Sequence, residues 1–346
     1  MSGTLGVGIV GAGMIAKVHA AELAGVEGAE LVAVVERSGE DGRELAGSHG
    51  AEWHPDLEGM LARDDVDVVV LCTPSGIHAD GAVAAARAGK HVICEKPMAI
   101  TLDGVDRMIG ACREAGVTLS VIFQYRFHRD ALRLKRALDA GLFGRPVLCN
   151  ALVHWHRTQE YYDEMGGWRG TWELDGGGAL MNQSVHAVDL LQWLLGPVES
   201  LCAYTEILTH DIETEDLATA ALRFESGAMG VVQGTTCNHR DYPLKVELRG
   251  TEGSATFEGT RLTSWYPIRD EELLSEEELA LFPESGDEPL GPAHGRQLRV
   301  IFEALREGRE PPIPGEEACK AVEIILSIYR AARSGERVSL RPVPGR

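Results

Sequence analysis

Five short apolar runs in the first 124 residues alternate with segments of helical pattern. The runs cover residues 5–10, 30–35, 66–72, 91–94 and 118–123. Strands that alternate with helices in this way form a parallel sheet, because each helix returns the chain to the edge at which the preceding strand began. The pattern therefore predicts an α/β fold that begins with a doubly wound parallel sheet.

The pattern changes after residue 124. Beyond it lie a charged helical stretch, a strand pattern, a helical pattern and several turn-separated strand runs, at residues 131–140, 146–156, 179–195 and 199–265. Strands joined by short turns usually pair antiparallel. We therefore predict two domains, residues 1–124 and 125–346, the second an α+β domain with a large open, mostly antiparallel sheet.

The charge balance excludes several kinds of partner. The chain has 33 Lys and Arg against 53 Asp and Glu, a formal net charge of −20. Such a surface repels phosphate backbones and anionic lipids, so we expect neither nucleic acid nor a membrane as partner. The sequence has neither the roughly 18 consecutive apolar residues of a spanning helix nor a basic N-terminal region typical of a secretory signal. We expect a cytoplasmic protein.

The seven cysteines are scattered and fall mostly inside apolar segments. This distribution is typical of reduced, buried thiols rather than of a disulfide framework. Neither a CxxC nor an HExxH motif occurs in the sequence. We therefore expect no metal site.

A glycine-rich turn follows the first strand and opens a helix, with the sequence GAGMIA at residues 11–16. Gly11 permits the tight turn, and Gly13 lets a pyrophosphate approach the backbone. The helix N-terminus, at Met14 and Ile15, places N–H groups and a positive dipole end against the phosphates. These features predict a Rossmann domain that binds NAD(P).

Glu36 ends the second strand, 20 residues after Ala16. An acidic residue at this place accepts hydrogen bonds from a ribose 2′-hydroxyl and repels a 2′-phosphate, which favours NAD. The neighbouring Arg37 can hold the extra phosphate, so NADP remains possible.

Ligands of open parallel sheets lie beyond the carboxyl ends of the strands. Three such ends carry polar residues, namely Thr73, Pro74 and His78, then Glu95 and Lys96, and last Gln124, Tyr125 and Arg126. A lysine between a strand and a proline has a restricted backbone and would project toward the nicotinamide. For His78, a purely structural place at the helix entry is an equal alternative.

A second group of candidate residues surrounds the helix predicted near residue 186. Asn182 and His186 are four residues apart, which places them on one face of an α-helix, and a near-neutral histidine suits proton transfer. In the preceding loop, Tyr161, Tyr162 and Trp168 offer aromatic faces to a sugar ring, while Arg169 suits a carboxylate or phosphate. Anchoring of the loop is an equal alternative for the two tyrosines.

The order of these motifs resembles that of the glucose-fructose oxidoreductase, inositol dehydrogenase and MocA (Gfo/Idh/MocA) family. The motifs are GAGMIA at 11–16, TPS at 73–75 with His78, EKP at 95–97, GGGALMNQSVHAVD at 176–189 and GTEGS at 250–254. The resemblance implies NAD(P)-dependent oxidation or reduction of a sugar or cyclitol hydroxyl. It also implies a homodimer or homotetramer built on the second-domain sheet.

The resemblance places Lys96 and His186 at the reacting carbon. For the substrate we expect Asn182, Tyr125, Arg126, Tyr162 and Arg169. For the cofactor we expect Gly11, Gly13, Met14, Ile15, Glu36, Arg37, Thr73, Pro74, His78, Glu95, Lys96, Gln124, Trp168 and Arg169.

One position departs from the family pattern, which often has Asp where this chain has Asn182. A branch with Asn here includes dehydrogenases acting on UDP-N-acetylglucosaminuronate at C3, and WRGTW at 168–172 is similar to that branch. Two other functions on the same scaffold are an NAD-dependent glycosidase that oxidises C3 transiently and a non-catalytic dinucleotide sensor. The presence of both Lys96 and His186 counts against the sensor.

Overall fold

A computed structural model describes residues 3–164, 166–269, 271–283 and 291–340. The strands are β1 Leu5–Val10, β2 Ala29–Val35, β3 Glu52–His54, β4 Val68–Leu71, β5 His91–Cys94, β6 Leu119–Val121, β7 Pro146–His154, β8 Val198–Glu206, β9 Leu217–Phe224, β10 Met229–Thr235, β11 Lys245–Gly250, β12 Ser254–Glu258, β13 Arg261–Tyr266 and β14 Val338–Ser339.

The α-helices are α1 Met14–Leu23, α2 Gly39–Ser48, α3 Leu57–Leu61, α4 His78–Arg87, α5 Leu102–Ala115, α6 Arg129–Asp139, α7 Gln159–Asp163, α8 Val185–Leu195, α9 Glu276–Leu281, α10 Pro292–Glu307 and α11 Gly315–Ser334. Short 3-10 turns occupy Ser75–Ile77 and Gln124–Phe127. Within the described ranges, every helix is too short or too polar to cross a membrane.

The first sheet has six strands in the order β3-β2-β1-β4-β5-β6, and every pair is parallel. Strands β1 and β4 are buried along their whole length, as expected for apolar strands covered on both faces. The predicted doubly wound α/β domain is confirmed. Sequence reasoning missed only the short edge strand β3, whose three residues EWH lack an apolar run.

The second sheet has eight strands in the order β13-β12-β11-β7-β10-β9-β8-β14. Strands β7 and β10 pair parallel, and the other neighbours pair antiparallel. Along β7 the buried residues Cys149, Ala151 and Val153 alternate with more exposed ones, so one face is covered and the other is open. Helix α8, buried over almost its whole length, packs against β7 on the covered face. The predicted open, mostly antiparallel sheet is confirmed.

The chain forms two compact units, residues 1–124 with 288–319 and residues 125–287 with 320–346. The sequence-based division placed 288–319 in the second domain, and the structure differs here. Helix α10 buries Leu298, Ile301 and Phe302 in the same apolar core as Val7 and Ile9 of β1. The sequence did not reveal that α10 belongs to the first unit, because the pattern of an amphipathic helix does not indicate which sheet the helix covers.

The helix predicted over residues 179–195 is not a continuous α-helix. Residues Ala179–Ser184 form a π-helical turn, and α8 begins at Val185. A π-turn closes hydrogen bonds over five residues instead of four. A common face for Asn182 and His186 therefore does not follow from their four-residue spacing.

Candidate active site

The glycine-rich turn after β1 has the geometry that a pyrophosphate needs. Gly11 has φ +105°, and a Cβ added there would lie 2.7 Å from the carbonyl oxygen of Cys72, so the turn requires glycine. Gly13 is the N-cap of α1, and it makes no side-chain capping hydrogen bond. The N–H groups at Met14 and Ile15 are thus in the part of the helix that an anion can bind.

Glu36 reaches back from the end of β2 to this turn. Its Oε2 accepts from the Ala12 N–H at 3.0 Å, and its Oε1 accepts from the Ser38 N–H at 3.2 Å. Each carboxylate oxygen has a second lone pair, so Glu36 can still accept a ribose hydroxyl. Arg37 is exposed beside it. The cofactor roles of Glu36 and Arg37 stay predictions.

A buried cluster of one carboxylate and two imidazoles, His19, Glu95 and His294, lies beneath Lys96. Glu95 Oε1 is 2.8 Å from His19 Nε2 and 4.0 Å from His294 Nε2, while Glu95 Oε2 accepts from the Lys96 N–H at 3.0 Å. Burial acts to raise the pKa of Glu95, but the hydrogen bond and charge of His19, with His294 and Lys96, outweigh it and lower that pKa to about 2.

Glu95 therefore holds the backbone of Lys96 from inside the protein, and a direct contact of Glu95 with the cofactor stays a prediction. Lys96 itself is half-buried at the end of β5. Sequence reasoning missed His19 and His294. A histidine in an otherwise apolar helix pattern is ordinarily a packing residue, and only the tertiary partner distinguishes the two cases.

His78 bridges the loops that follow β4 and β5. Its Nδ1 lies 2.9 Å from the carbonyl oxygen of Pro97, and its Nε2 lies 2.9 Å from that of Thr73. Burial lowers the pKa of His78, and a neutral imidazole donates to one of the two carbonyls at a time. His78 thus fixes the loop of Thr73 and Pro74 against Pro97. Its direct contact with the cofactor stays a prediction.

Gln124 carries an acceptor that the described chain does not satisfy. Its side chain is buried just beyond β6, and its Oε1 has no hydrogen-bond partner among the described residues. A buried polar atom in this state normally has a partner in the working protein. The expected contact of Gln124 with the cofactor stays a prediction.

His186 lies in the first turn of α8 and is buried. The ring of Tyr125 packs against it with the ring centroids 5.2 Å apart, and His128 lies on the same tyrosine at 5.6 Å. Burial raises the pKa of Tyr125, so its hydroxyl stays protonated at neutral pH. The structure therefore brings together two of the expected residues, Tyr125 and His186.

Asn182 has a carboxylate partner. Its Nδ2 donates to Asp175 Oδ1 at 2.6 Å, and its Oδ1 accepts from Gln183 Nε2 at 3.1 Å. The other oxygen of the buried Asp175 accepts from the Gly170 N–H at 2.8 Å. Asp175 thus joins the loop before the triple glycine to the turn that carries Asn182.

Two residues expected to contact substrate are engaged inside the protein. Arg126 forms a buried, two-pronged ion pair with Asp189, with distances of 2.7 and 2.6 Å. The hydroxyl of Tyr162, also buried, lies 2.9 Å from Thr236 Oγ1, and burial raises its pKa. Substrate binding by Arg126 and Tyr162 stays a prediction.

The neighbouring Tyr161 instead organises two guanidinium groups. Arg169 lies over its ring at 4.2 Å and Arg157 at 5.3 Å, and Arg169 also lies 5.6 Å from the ring of Trp168. Gln183 accepts from Arg157 at 3.0 Å and donates to the Tyr161 hydroxyl at 2.8 Å. We call Arg157, Tyr161, Arg169 and Gln183 the arginine–tyrosine cluster. Sequence reasoning missed Arg157 and Gln183, which lie on either side of the loop.

His210, Asp216 and Cys237 place three potential metal ligands within 4.8 Å of one another. The carboxylate of Asp216 already accepts from the N–H groups of Leu208, Thr209 and His210 at 2.8 to 3.1 Å, and His210 Nδ1 lies 3.0 Å from it. A carboxylate filled in this way stabilises a turn, so the group carries no metal assignment.

A parallel six-stranded sheet, an uncapped helix after the glycine turn and an acid at the end of β2 define a dinucleotide-binding protein. Family models for the NAD-binding Rossmann fold of this oxidoreductase family and for the GFO/IDH/MocA C-terminal domain match residues 5–123 and 131–256. The chain belongs to the GFO/IDH/MocA family and is an NAD-dependent oxidoreductase.

Individual relatives extend over nearly the whole chain. Myo-inositol 2-dehydrogenase from Thermotoga maritima is 26% identical, over 98% of this chain and 99% of its own. The scyllo-inositol 2-dehydrogenase (NAD(+)) of Bacillus subtilis is 26% identical, over 96% and 95%. The WlbA dehydrogenase of Bordetella pertussis, solved in complex with NADH and UDP-GlcNAcA, is 36% identical with a TM-score of 0.89, covering 99% of both chains.

Proposed function

We propose that this protein is an NAD(H)-dependent dehydrogenase for a hydroxyl of a sugar derivative that carries anionic groups, of the class of UDP-N-acetylglucosaminuronate. The arginine–tyrosine cluster is the observation that carries the substrate class. Two guanidinium groups held on one tyrosine can offer further N–H groups to a carboxylate or a phosphate. Within the protein Arg157 also pairs with Asp241 at 3.1 Å, and Arg169 donates to the Tyr161 carbonyl oxygen at 2.9 Å. The likeness to WlbA, crystallised with UDP-GlcNAcA, supports the same class.

Lys96 supplies a donor to the oxygen of the reacting carbon. As the hydroxyl loses its proton, an ammonium group stabilises the negative charge that develops on that oxygen. Glu95 keeps the lysine backbone in place through the hydrogen bond from the Lys96 N–H. NAD, held at the glycine turn of Gly11 and Gly13 and by Glu36, would supply the acceptor for the hydride that leaves the carbon.

His186 takes the proton of the hydroxyl, so the hydride and the proton leave the substrate separately and the carbon becomes a ketone. A histidine suits this step because its ordinary pKa lies near neutrality. Tyr125 packs on the imidazole and limits its rotation. Asn182, held by Asp175, supplies an amide to substrate hydroxyls but cannot accept a proton.

The test compares NADH formation with UDP-N-acetylglucosaminuronate, with UDP-N-acetylglucosamine, which lacks the carboxylate, and with myo-inositol. We expect turnover with the first and a large loss with the other two. Lys96→Met should lower kcat about a hundredfold to a thousandfold, and His186→Ala about a hundredfold to ten-thousandfold. NAD binding should persist in both, because neither residue belongs to the glycine turn.

Four outcomes separate the alternatives. Wild-type turnover in both variants would overturn the catalytic roles, and preference for myo-inositol would overturn the substrate class. Release of a free sugar from a glycoside without net NADH would indicate the glycosidase reaction instead. Binding of NAD with no substrate-dependent NADH from any candidate would indicate the sensor.

We also propose a homo-oligomer formed through the open face of the second sheet. On that face Tyr204 is 80% exposed and Met229 is 54% exposed. Apolar side chains on an uncovered sheet face are stabilised by a second copy. A mass of 37.4 kDa by light scattering at micromolar concentration would contradict this proposal.

Free cysteines and the acidic charge support a cytoplasmic location, which stays a proposal.

A further inference from the structure

Glu215 is a buried carboxylate that the proposed reaction does not use, yet three donors converge on it. Its Oε1 accepts from the Leu180 N–H at 2.7 Å and from the Tyr329 hydroxyl at 2.9 Å. Its Oε2 accepts from the Gly178 N–H at 3.2 Å. Tyr329, on α11, is also buried. The partners lie far apart in sequence, so the arrangement exists only in the folded protein.

The triple glycine allows this close approach. A Cβ at Gly178 would lie 2.1 Å from the backbone oxygen of Glu215, and one at Gly177 would lie 2.1 Å from the Tyr329 hydroxyl. The backbone oxygen of Glu215 also accepts from the Ala179 N–H at 2.9 Å. Side chains larger than hydrogen would therefore separate the segment from Glu215 and Tyr329.

The segment that Glu215 holds leads directly to His186. The π-turn starts at Ala179 and passes into α8, where His186 is the second residue. The first N–H groups of a helical segment have no partner within it, and a side chain normally satisfies them from a nearby position. Here Glu215 performs that capping from a different part of the chain, and it thereby fixes where the helical segment begins.

We infer that Glu215 and Tyr329 are positioning residues for the reaction, because together they fix the start of the segment that carries Asn182 and His186. The inference rests on the proposed role of His186. Tyr329 also packs edge-on against Trp172 with centroids 5.3 Å apart, which connects the same pair to the loop that carries Arg169. Neither Glu215 nor Tyr329 is assigned a contact with substrate or cofactor.

Glu215→Gln is the first test. The amide keeps the size of the side chain but turns one acceptor into a donor that faces N–H or O–H groups. A displacement of about 1 Å in a reacting group lowers the rate about a hundredfold, so we expect kcat to fall about tenfold to a hundredfold. The Kd for NAD and the KM for substrate should change much less. Glu225→Gln, in an exposed turn of the same unit, is the matched control.

Tyr329→Phe is the second test, and it decides the question if Glu215→Gln does not fold. It removes one donor and leaves the carboxylate, so we expect a smaller fall in kcat, about threefold to tenfold, for loss of one positioning contact. The double variant should lose no more than Glu215→Gln alone, because both substitutions break one unit.

The outcomes distinguish this inference from the proposed function. The positioning role is overturned if folded Glu215→Gln keeps the wild-type kcat while His186→Ala is inactive. If Glu215→Gln does not fold, a wild-type kcat in Tyr329→Phe overturns it instead. A uniform rise in KM with unchanged kcat would also overturn it. If His186→Ala itself keeps wild-type turnover, the proposed function fails first.

Discussion

Glu95 in the first unit and Glu215 in the second are both buried carboxylates, and their acidities move in opposite directions. The pKa of Glu95 is lowered to about 2, although burial acts to raise it, because His19, His294 and Lys96 favour the charged form. Burial raises the pKa of Glu215 to about 7, although hydrogen bonds from Leu180, Tyr329 and Gly178 oppose it.

The charge of the donors accounts for the difference more than their number does. Glu95 accepts from an imidazole that can carry a positive charge, whereas Glu215 accepts from backbone N–H groups and a phenol, all of them neutral. Neutral donors offset only part of the cost of removing a carboxylate from water. Of these two residues, the carboxylate whose partners can carry positive charge stays ionised through acid conditions, and the one with neutral donors does not.

The two residues give the stability of the protein opposite pH dependences. Glu95 binds its proton less tightly in the folded state, so its contribution is complete above about pH 4.5 and is lost as the pH falls toward 2. Glu215 binds its proton more tightly in the folded state, so stability decreases as the pH rises from about 4.5 through 7.

Removing the partner of Glu95 should produce the largest effect. His19→Leu leaves a buried carboxylate without its hydrogen-bonded imidazole, and breaking a buried pair in this way costs about 3–5 kcal/mol. Urea unfolding at pH 7 measures the loss. His19→Gln, which keeps a donor at a similar reach, should lose less, and His239→Leu at an exposed turn should change little. Equal stability of His19→Leu and wild type would show that the pair is unimportant.

Glu215→Gln should remove the decrease in stability between pH 4.5 and 7. A shift from 4.5 to about 7 corresponds to roughly 3 kcal/mol, and an amide does not titrate. Urea unfolding of wild type and variant at pH 5 and pH 8 measures the difference between the two pH dependences. Parallel curves for the two proteins would mean that Glu215 titrates as an ordinary carboxyl and that the contrast with Glu95 is wrong.

Glu36 adds a half-exposed carboxylate with neutral donors to the comparison of Glu95 with Glu215. Of the three residues, its substitution should have the smallest effect in free energy. It favours NAD by accepting a ribose hydroxyl and repelling a 2′-phosphate, so Glu36→Ser should move the ratio of the two dissociation constants toward NADP by about tenfold, or roughly 1.4 kcal/mol. Titrations with both dinucleotides measure the ratio. Arg37→Ala should weaken NADP alone, and tighter NADP binding by the wild type would refute the assignment to Glu36.

Local pattern predicted the first sheet and the glycine turn well, because strand alternation and the needs of a tight turn are encoded within a few residues. It also located Lys96 at the end of a strand, but it placed His186 inside a continuous helix over residues 179–195, whereas α8 begins only at Val185. It could not predict that Arg126 pairs with Asp189, or that Tyr161 rather than Tyr162 joins the arginines.

The first outcome depends on a partner 63 residues away in sequence. The second depends on the conformation of the loop, since Arg157 and Arg169 lie only four and eight residues from Tyr161. A partner distant in sequence also explains His19. Its local sequence is typical of a histidine that only packs, and its other role follows from the contact with Glu95, 76 residues away. The π-turn over Ala179–Ser184 is likewise stabilised from outside, by Glu215, and no spacing rule within the segment indicates it.

The return of α10 to the first unit has a consequence during synthesis on the ribosome. The core around Val7 and Ile9 is completed by Leu298, Ile301 and Phe302, which are translated only after most of the second unit. Domains generally fold as units while the chain emerges N-terminus first. The core of the nascent dinucleotide-binding unit therefore stays incomplete until α10 has been synthesised. A fragment ending at Gln124 would expose the apolar surface that α10 covers, and chaperones or aggregation would act on it.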